Sequence, residues 1–369
     1  MEPEIGGTLH GGTRTKTLIP HLPEGAIVLL DHRDLDDLSC TAFIRRNVRA
    51  VVNRSLSLSG TYRHHQVERL LTSGIAVYDI ESVRRQELLR SGAVVVIRGE
   101  RLFTQDGLLV AELCPYNEAL IAKRLAQADE CYPLQLEQFM RNSLSHAEKD
   151  CPTFITEKEL PEAFAACKGR HVLLVARGPT FEKDVGALRK KIRQLKAYVV
   201  AIDGAADTLL AYRMKPDVIA GDMDSVSDEA LFCGAEVVCH QGEKGEVPAR
   251  KRMNALGLTY EYMQHVGTSE DMALSGCYQA GAHHLYTVGY RSGMNEFLEK
   301  DRKGMGSSLL VGMKTGDKVT DLKGIHKLIT RPHPLVTLWK KALAKWGKRR
   351  FGKGGEVRYE PSIGRYTRT

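Results

Sequence analysis

The 369 residues are 43% hydrophobic and 27% charged, the composition of a folded globular chain, and at roughly 150 residues per domain they predict two domains. The longest apolar runs are about one strand long, well short of the roughly 20 residues that span a bilayer, and the N-terminus lacks the basic start and apolar stretch of a secretory signal, so a cytoplasmic protein is expected. The net charge of +8 belongs to the end of the chain: residues 331–369 hold 11 Lys and Arg against 2 Asp and Glu, which leaves residues 1–330 at 42 against 43.

From residue 25 short β-rich runs alternate with helical patterns: a strand at 26–30, a helix near 35–46, a strand at 50–53, a helix near 62–72 and a strand at 75–78. Such alternation predicts parallel βαβ units. Strands at 93–98, 101–103 and 108–113, the last after an Asp106-Gly107 turn, predict antiparallel hairpins. Residues 1–116 therefore read as an α/β domain with a β-hairpin appendage. Residues 117–149 contain no Gly and one Pro, with Leu136, Phe139, Met140 and Leu144 at helical spacing, and predict a long helix or helix pair within a connector at 117–168. For residues 169–330, strands at 171–176, 198–202, 218–220, 235–239, 260–263 and 285–288, with helices at 183–195, 205–213 and 271–280, predict an α/β fold built on an open, doubly wound, mostly parallel sheet. Eight cysteines form no CxxC pair, which argues against zinc and disulfide frameworks and for reduced, mostly buried thiols.

Ligands of doubly wound sheets bind beyond the carboxyl ends of the strands, and the predicted strand ends carry acids. Asp203 follows the 198–202 strand, Asp222 and Asp224 follow 218–220, and Asp271 opens a later helix. Four carboxylates facing one cleft need a cation, and hard oxygen ligands suit Mg²⁺ shared with substrate phosphates. Gly204 and Gly221 let the backbone approach a ligand closely, and Arg177 and Gly178, ahead of a helix, offer a cation and backbone amides to a phosphate. No GxxxxGK[ST] or GxGxxG motif occurs, which argues against a P-loop or dinucleotide site. The plainer alternative is that Asp222, Asp224 and Ser225 form an Asx turn and cap the next helix.

The blocks Asp203-Gly204-Ala205-Ala206, then 215–225 ending Gly221-Asp222-Met223-Asp224-Ser225, then Thr268-Ser269-Glu270-Asp271 resemble the DGGA, PDxIxGDxDS and TxxD blocks of thiamin pyrophosphokinases over residues 168–312. The resemblance implies that Asp203, Asp222, Asp224 and Asp271 hold Mg²⁺ and ATP or another nucleotide; Arg177, Gly178, Gly204, Gly221, Ser225, Thr268 and Ser269 are expected to line the site, and in an enzyme Asp224 or Asp271 would assist deprotonation of an acceptor. Where those enzymes carry GGRxDH, this chain has Gly289-Tyr290-Arg291-Ser292-Gly293-Met294: the Arg matches and the Asp-His pair is absent. Nearly the whole chain resembles SteA-type cytokinetic-ring proteins, through residues 27–36, 50–53, 59–62, 221–231, 296–298 and 304–307. That resemblance implies a nucleotide-binding component of the division machinery with a protein partner there; the alternative is an active pyrophosphokinase acting on thiamin or another alcohol.

Asp31-His32 reads as an acid-base or ligand pair, or more simply as a capping Asp beside a surface His. His64-His65 and His283-His284 lack partners at metal-ligand spacing and read as structural. In the tail, Leu335, Leu338, Trp339, Ala342, Leu343 and Trp346 fall on one helical face and Lys340, Lys341, Lys345 and Lys348 on the other, the pattern of an interfacial helix at an anionic membrane surface. The alternatives are packing on its own domain and a solvated tail or nucleic-acid contact; no specific nucleic acid is expected.

Overall fold

In the run Ile27–Leu30 every residue is apolar and buried, the signature of a parallel strand covered on both faces, and the first half of the protein is built around strands of this kind. The computed structural model describes residues 4–12, 15–156 and 159–329. Up to Gly324 these form one unit; of a second unit, Ile325–Thr369, only residues 325–329 are described, with a single 3-10 turn at Ile325–Lys327. The tail reading at 335–350 lies outside the described residues.

Seven strands, β1 (Glu4–Gly11), β2 (Ile27–Leu30), β3 (Ala50–Asn53), β4 (Ala76–Val83), β5 (Val94–Arg98), β6 (Arg101–Thr104) and β7 (Leu109–Pro115), close into a barrel in the order β1-β2-β3-β4-β7-β6-β5. β1 to β4 are parallel and the remaining pairings antiparallel. Ile27, Leu29, Ala50 and Val52 pack with Leu9, Ile97 and Leu102 in one cluster. Their neighbours Val28, Leu30 and Val51 alternate to the other face and meet Phe43 and Leu70 of the helices Asp37–Arg45 and Gln66–Thr72. The expected appendage is instead part of a closed barrel, and β1 is the strand that closes it. Its glycines at 6 and 7 carry no apolar alternation, yet β1 pairs in parallel with β2 and antiparallel with β5, and this non-local pairing closes the ring.

Asn117 accepts a hydrogen bond from Leu120 N at 2.9 Å and starts one continuous helix, Glu118–Ile155, of 38 residues or about 57 Å at 1.5 Å per residue. It runs through Pro133 and Pro152 without dividing into a pair. Its buried Phe139, Ser143 and Ala147 mark the packed face, which lies against the helix Gly306–Thr315. The approach needs glycine: a Cβ at Gly306 would lie 2.6 Å from Ala147 N.

The second sheet has seven strands, β8 (His171–Val175), β9 (Tyr198–Ile202), β10 (Val218–Gly221), β11 (Glu236–Gln241), β12 (Glu261–Gln264), β13 (His284–Val288) and β14 (Val319–Asp321), one more than the sequence pattern reveals. The order is β12-β11-β10-β9-β8-β13-β14, parallel throughout. The chain steps outward from β8 to β12 and then returns to lay β13 on the other side of β8, so the strand order reverses between β8 and β13. The helix Ser269–Gln279 crosses β8, β9, β10 and β13, burying Met272, Ala273 and Cys277 against Val172, Leu174, Val200 and Val218. Of the eight cysteines, which form no disulfide, four are buried and four partly exposed.

Candidate functional site

The carboxyl ends of β9 and β10 bring three acids together. Asp203 follows β9 at φ 47° and Met223 stands between Asp222 and Asp224 at φ 58°, left-handed conformations that non-glycine residues hold at a cost and that concentrate at functional sites. Thr180, which caps the helix Phe181–Leu195 after β8, is left-handed as well, at φ 60°. Met223 N donates to Asp203 Oδ1 at 3.1 Å, and Asp224 N donates to Asp222 Oδ1 at 3.1 Å. The second bond is the Asx turn of the plainer reading, but the next helix, Asp228–Leu231, is capped by Ser227 and not by Asp222, Asp224 or Ser225. Gly221 is where only glycine fits, since a Cβ there would stand 2.0 Å from Asp203 Oδ1, and at Gly204 one would stand 2.4 Å from the Ser225 carbonyl oxygen and 2.8 Å from the Arg177 guanidinium. Arg177 therefore lies over the Gly204 turn beside Ser225.

Burial and the neighbouring Asp222 push the Asp203 carboxyl up to about 8, against a hydrogen bond from Met223 N that opposes the shift, with Asp224 and Glu270 adding to the repulsion. Burial, then Asp224, raise Asp222 too. Asp271 is engaged elsewhere. Its Oδ2 accepts from Thr268 N at 3.1 Å, Ser307 Oγ at 2.9 Å and Ser308 Oγ at 3.0 Å, and Thr268 Oγ1 accepts from Asp271 N, which completes a capping box at the start of the Ser269–Gln279 helix. Burial still raises its pKa against these bonds. Glu270, next to it, pairs with Arg291. Among the described residues no group of three or more His, Cys, Asp or Glu is arranged as a metal site, so the four aspartates of the sequence reading do not form a ready cage. A sparser arrangement, one or two carboxylates with water and phosphate oxygens completing the shell, is the usual mode of Mg²⁺.

Gly178 marks the reversal point between β8 and β13: a Cβ there would lie 2.3 Å from the Gly289 carbonyl oxygen. The crevice between the loops after these strands is lined by Arg177, Gly178, Arg291, Glu299 and Lys300 together with Asp37 and Leu38 of the barrel half, and holds only about 10 Å³. A far larger cavity of about 1000 Å³ opens between the barrel, the long helix and the sheet, lined by Asp31, His32, Asp34 and Tyr62, by Gln135, Gln138, Phe139 and Asn142, and by Asp224, Lys300 and Lys303. Within it Asp31 accepts from Ser55 Oγ at 2.6 Å and His32 Nδ1 meets Thr15 Oγ1 at 3.2 Å. His64 Nε2 lies 3.3 Å from Asp34 Oδ1 and His284 Nε2 2.8 Å from Thr320 Oγ1.

Ion pairs join the two halves, one of them, Lys300 with Asp36, in the cavity wall. Lys300 Nζ lies 2.8 Å from Asp36 Oδ2 and Arg45 2.5 Å from Glu182, while the Glu299 carboxylate accepts from Asp37 N. Burial raises the Asp36 carboxyl, but Lys300 outweighs it and holds the group at about 2. Removing one partner of a half-buried pair leaves an uncompensated charge, so Lys300→Met is expected to lose about 2 kcal/mol in urea unfolding at pH 7. A group held below its ordinary 3.8 stabilises the fold above that pH and loses the contribution as pH falls toward 2. The variant should accordingly show a shallower acid limb, and a wild-type acid limb would refute the pairing.

No protein-family model matches the chain, and no curated protein matches it. Among solved structures, a thiamine pyrophosphokinase from Bacillus subtilis is similar at 19% identity and a TM-score of 0.26, covering 41% of this chain and 60% of its own. A 3-isopropylmalate dehydratase from Methanocaldococcus jannaschii is similar at 11% identity and a TM-score of 0.24, covering 37% and 98%, and a D-2-hydroxyisocaproate dehydrogenase at 12% and 0.16, covering 91% and 88%. The chain thus bears a weak likeness to a thiamine pyrophosphokinase over part of its length and spans 60% of that enzyme.

Proposed function

We propose that the protein binds a nucleotide together with Mg²⁺ at the carboxyl ends of β9 and β10, in the cytoplasm, as a component of the division machinery and without thiamin activity. The observation that carries the reading is the meeting of Asp203 with the Gly221–Asp224 turn at adjacent strand ends, where glycine alone admits the approach of the two loops and Arg177 stands by. Mg²⁺ would be held by Asp222 and Asp224, with Asp203 behind them, and supplies neutralisation of phosphate charge. Against a thiamin acceptor stands the 292–296 segment: Glu296 accepts from Ser292 N at 2.8 Å and Gly293 N at 3.1 Å and pairs with Lys323 at 2.9 Å, so structural bonds occupy the place of the enzymes' Asp-His pair. The division role, its protein partner and attachment of residues 335–350 to an anionic membrane surface rest on the sequence alone. Calorimetric titration with ATP, GTP and thiamin tests the reading. A nucleotide should bind in Mg²⁺ and at least tenfold more weakly in EDTA, a difference of about 1.4 kcal/mol, with no binding of thiamin; absence of nucleotide binding under both conditions would refute it.

A further inference from the structure

The two hollows beside the acidic turn differ in size by two orders of magnitude. The crevice at the reversal of strand order, where open α/β sheets ordinarily seat ligands, holds about 10 Å³, space for a single water. A nucleoside does not fit there while Asp37, Glu299 and Lys300 close it. The cavity of about 1000 Å³, reached by Asp224 on the same turn, is at the upper end of small-molecule sites.

The far wall of the cavity has the chemistry of a base-reading surface. Gln135, Gln138 and Asn142 project from one stretch of the long helix around Phe139. The Gln135 and Gln138 carboxamides each set a donor beside an acceptor, as the edge of a nucleobase does, and Asn142, whose Nδ2 donates to Lys303 O at 3.0 Å, turns its oxygen to the same task. From the barrel side comes Tyr62, 7% exposed, whose hydroxyl has no hydrogen-bond partner among the described residues. A buried hydroxyl left without a partner is costly, and a ligand oxygen or nitrogen in the cavity would relieve it.

We infer that the nucleoside half of the bound nucleotide occupies this cavity, its base against Gln135, Gln138 and Asn142 and one of its polar groups hydrogen-bonded to Tyr62. The barrel and the long helix thereby set base preference, while the sheet holds the phosphates. This inference rests on the proposed nucleotide site, and the experiment separates the two. The full chain is titrated calorimetrically with Mg²⁺-tripolyphosphate, Mg²⁺-ATP and Mg²⁺-GTP, as wild type, Tyr62→Phe and Gln138→Leu, with thermal unfolding of each variant confirming an intact fold. One nucleotide should bind at least tenfold more tightly than tripolyphosphate. Each variant should weaken that nucleotide about five- to tenfold, the worth of one neutral hydrogen bond, and leave tripolyphosphate unchanged. Tripolyphosphate binding as tightly as both nucleotides, or variants with wild-type nucleotide affinity, would overturn the inference while the phosphate site stands. Failure of all three ligands to bind the wild type would overturn both.

Discussion

At pH 8 the Asp203→Asn protein is expected to unfold at a higher temperature than wild type, by a margin that shrinks as the pH falls toward 4. In the folded protein burial and Asp222 raise the Asp203 carboxyl from its ordinary 3.8 to about 8, so between those values the native state holds a proton that the unfolded chain has released. The contribution is fully present below pH 3.8 and is lost as pH rises through 8. Asn cannot ionise, tolerates the left-handed φ of 47°, and keeps an oxygen for Met223 N. Because Asp203 is only partly buried, the gain at pH 8 should be on the order of 3 kcal/mol rather than the full linkage value. Parallel pH profiles for the two proteins would show that the acids do not repel one another as their placement requires.

The second large effect concerns Gly178. Its missing Cβ would stand 2.3 Å from the Gly289 oxygen and 2.8 Å from the Gly289 carbonyl carbon, backbone atoms that no rotamer change can move. The loops cannot part freely either, since Ala176 N donates to Val288 O at 2.8 Å next to the contact. Gly178→Ala should therefore lose about 3 kcal/mol or more by overpacking, read as a lower denaturant midpoint. Gly312, exposed in the Gly306–Thr315 helix with nothing among the described residues within 4 Å of its would-be Cβ, is the control: Gly312→Ala should be neutral or slightly stabilising through helix propensity. A wild-type midpoint for Gly178→Ala would contradict the close approach at the strand reversal.

What could be read from the sequence followed local pattern. The strands at 50–53 and 198–202 coincide with β3 and β9, because compact apolar runs between turn residues identify themselves. The meeting of Asp203 with the Gly221–Asp224 turn followed from knowing that parallel strands share an edge. Non-local closure left no such trace: β1 carries paired glycines at its centre, and its partners lie about 20 and 90 residues away. Asp271 has partners that are hidden for a related reason. Ser307 and Ser308, which donate to its carboxylate, lie 36 and 37 residues on. The Thr268-x-x-Asp271 spacing was itself the signal, a capping box legible without the structure. The cavity wall was illegible, since Gln135, Gln138 and Asn142 look like an ordinary solvated helix face until the barrel and the sheet are set around it.

If the acids after β10 carry Mg²⁺-dependent nucleotide binding, their removal should abolish it. The test is calorimetric titration of the Asp222→Asn, Asp224→Asn double variant with ATP and GTP in Mg²⁺, beside wild type and with circular dichroism confirming the fold. The nucleotide affinity of the wild type should be lost in the variant, and the wild type in EDTA should resemble it. A folded double variant that binds as tightly as wild type would remove the site from these carboxylates.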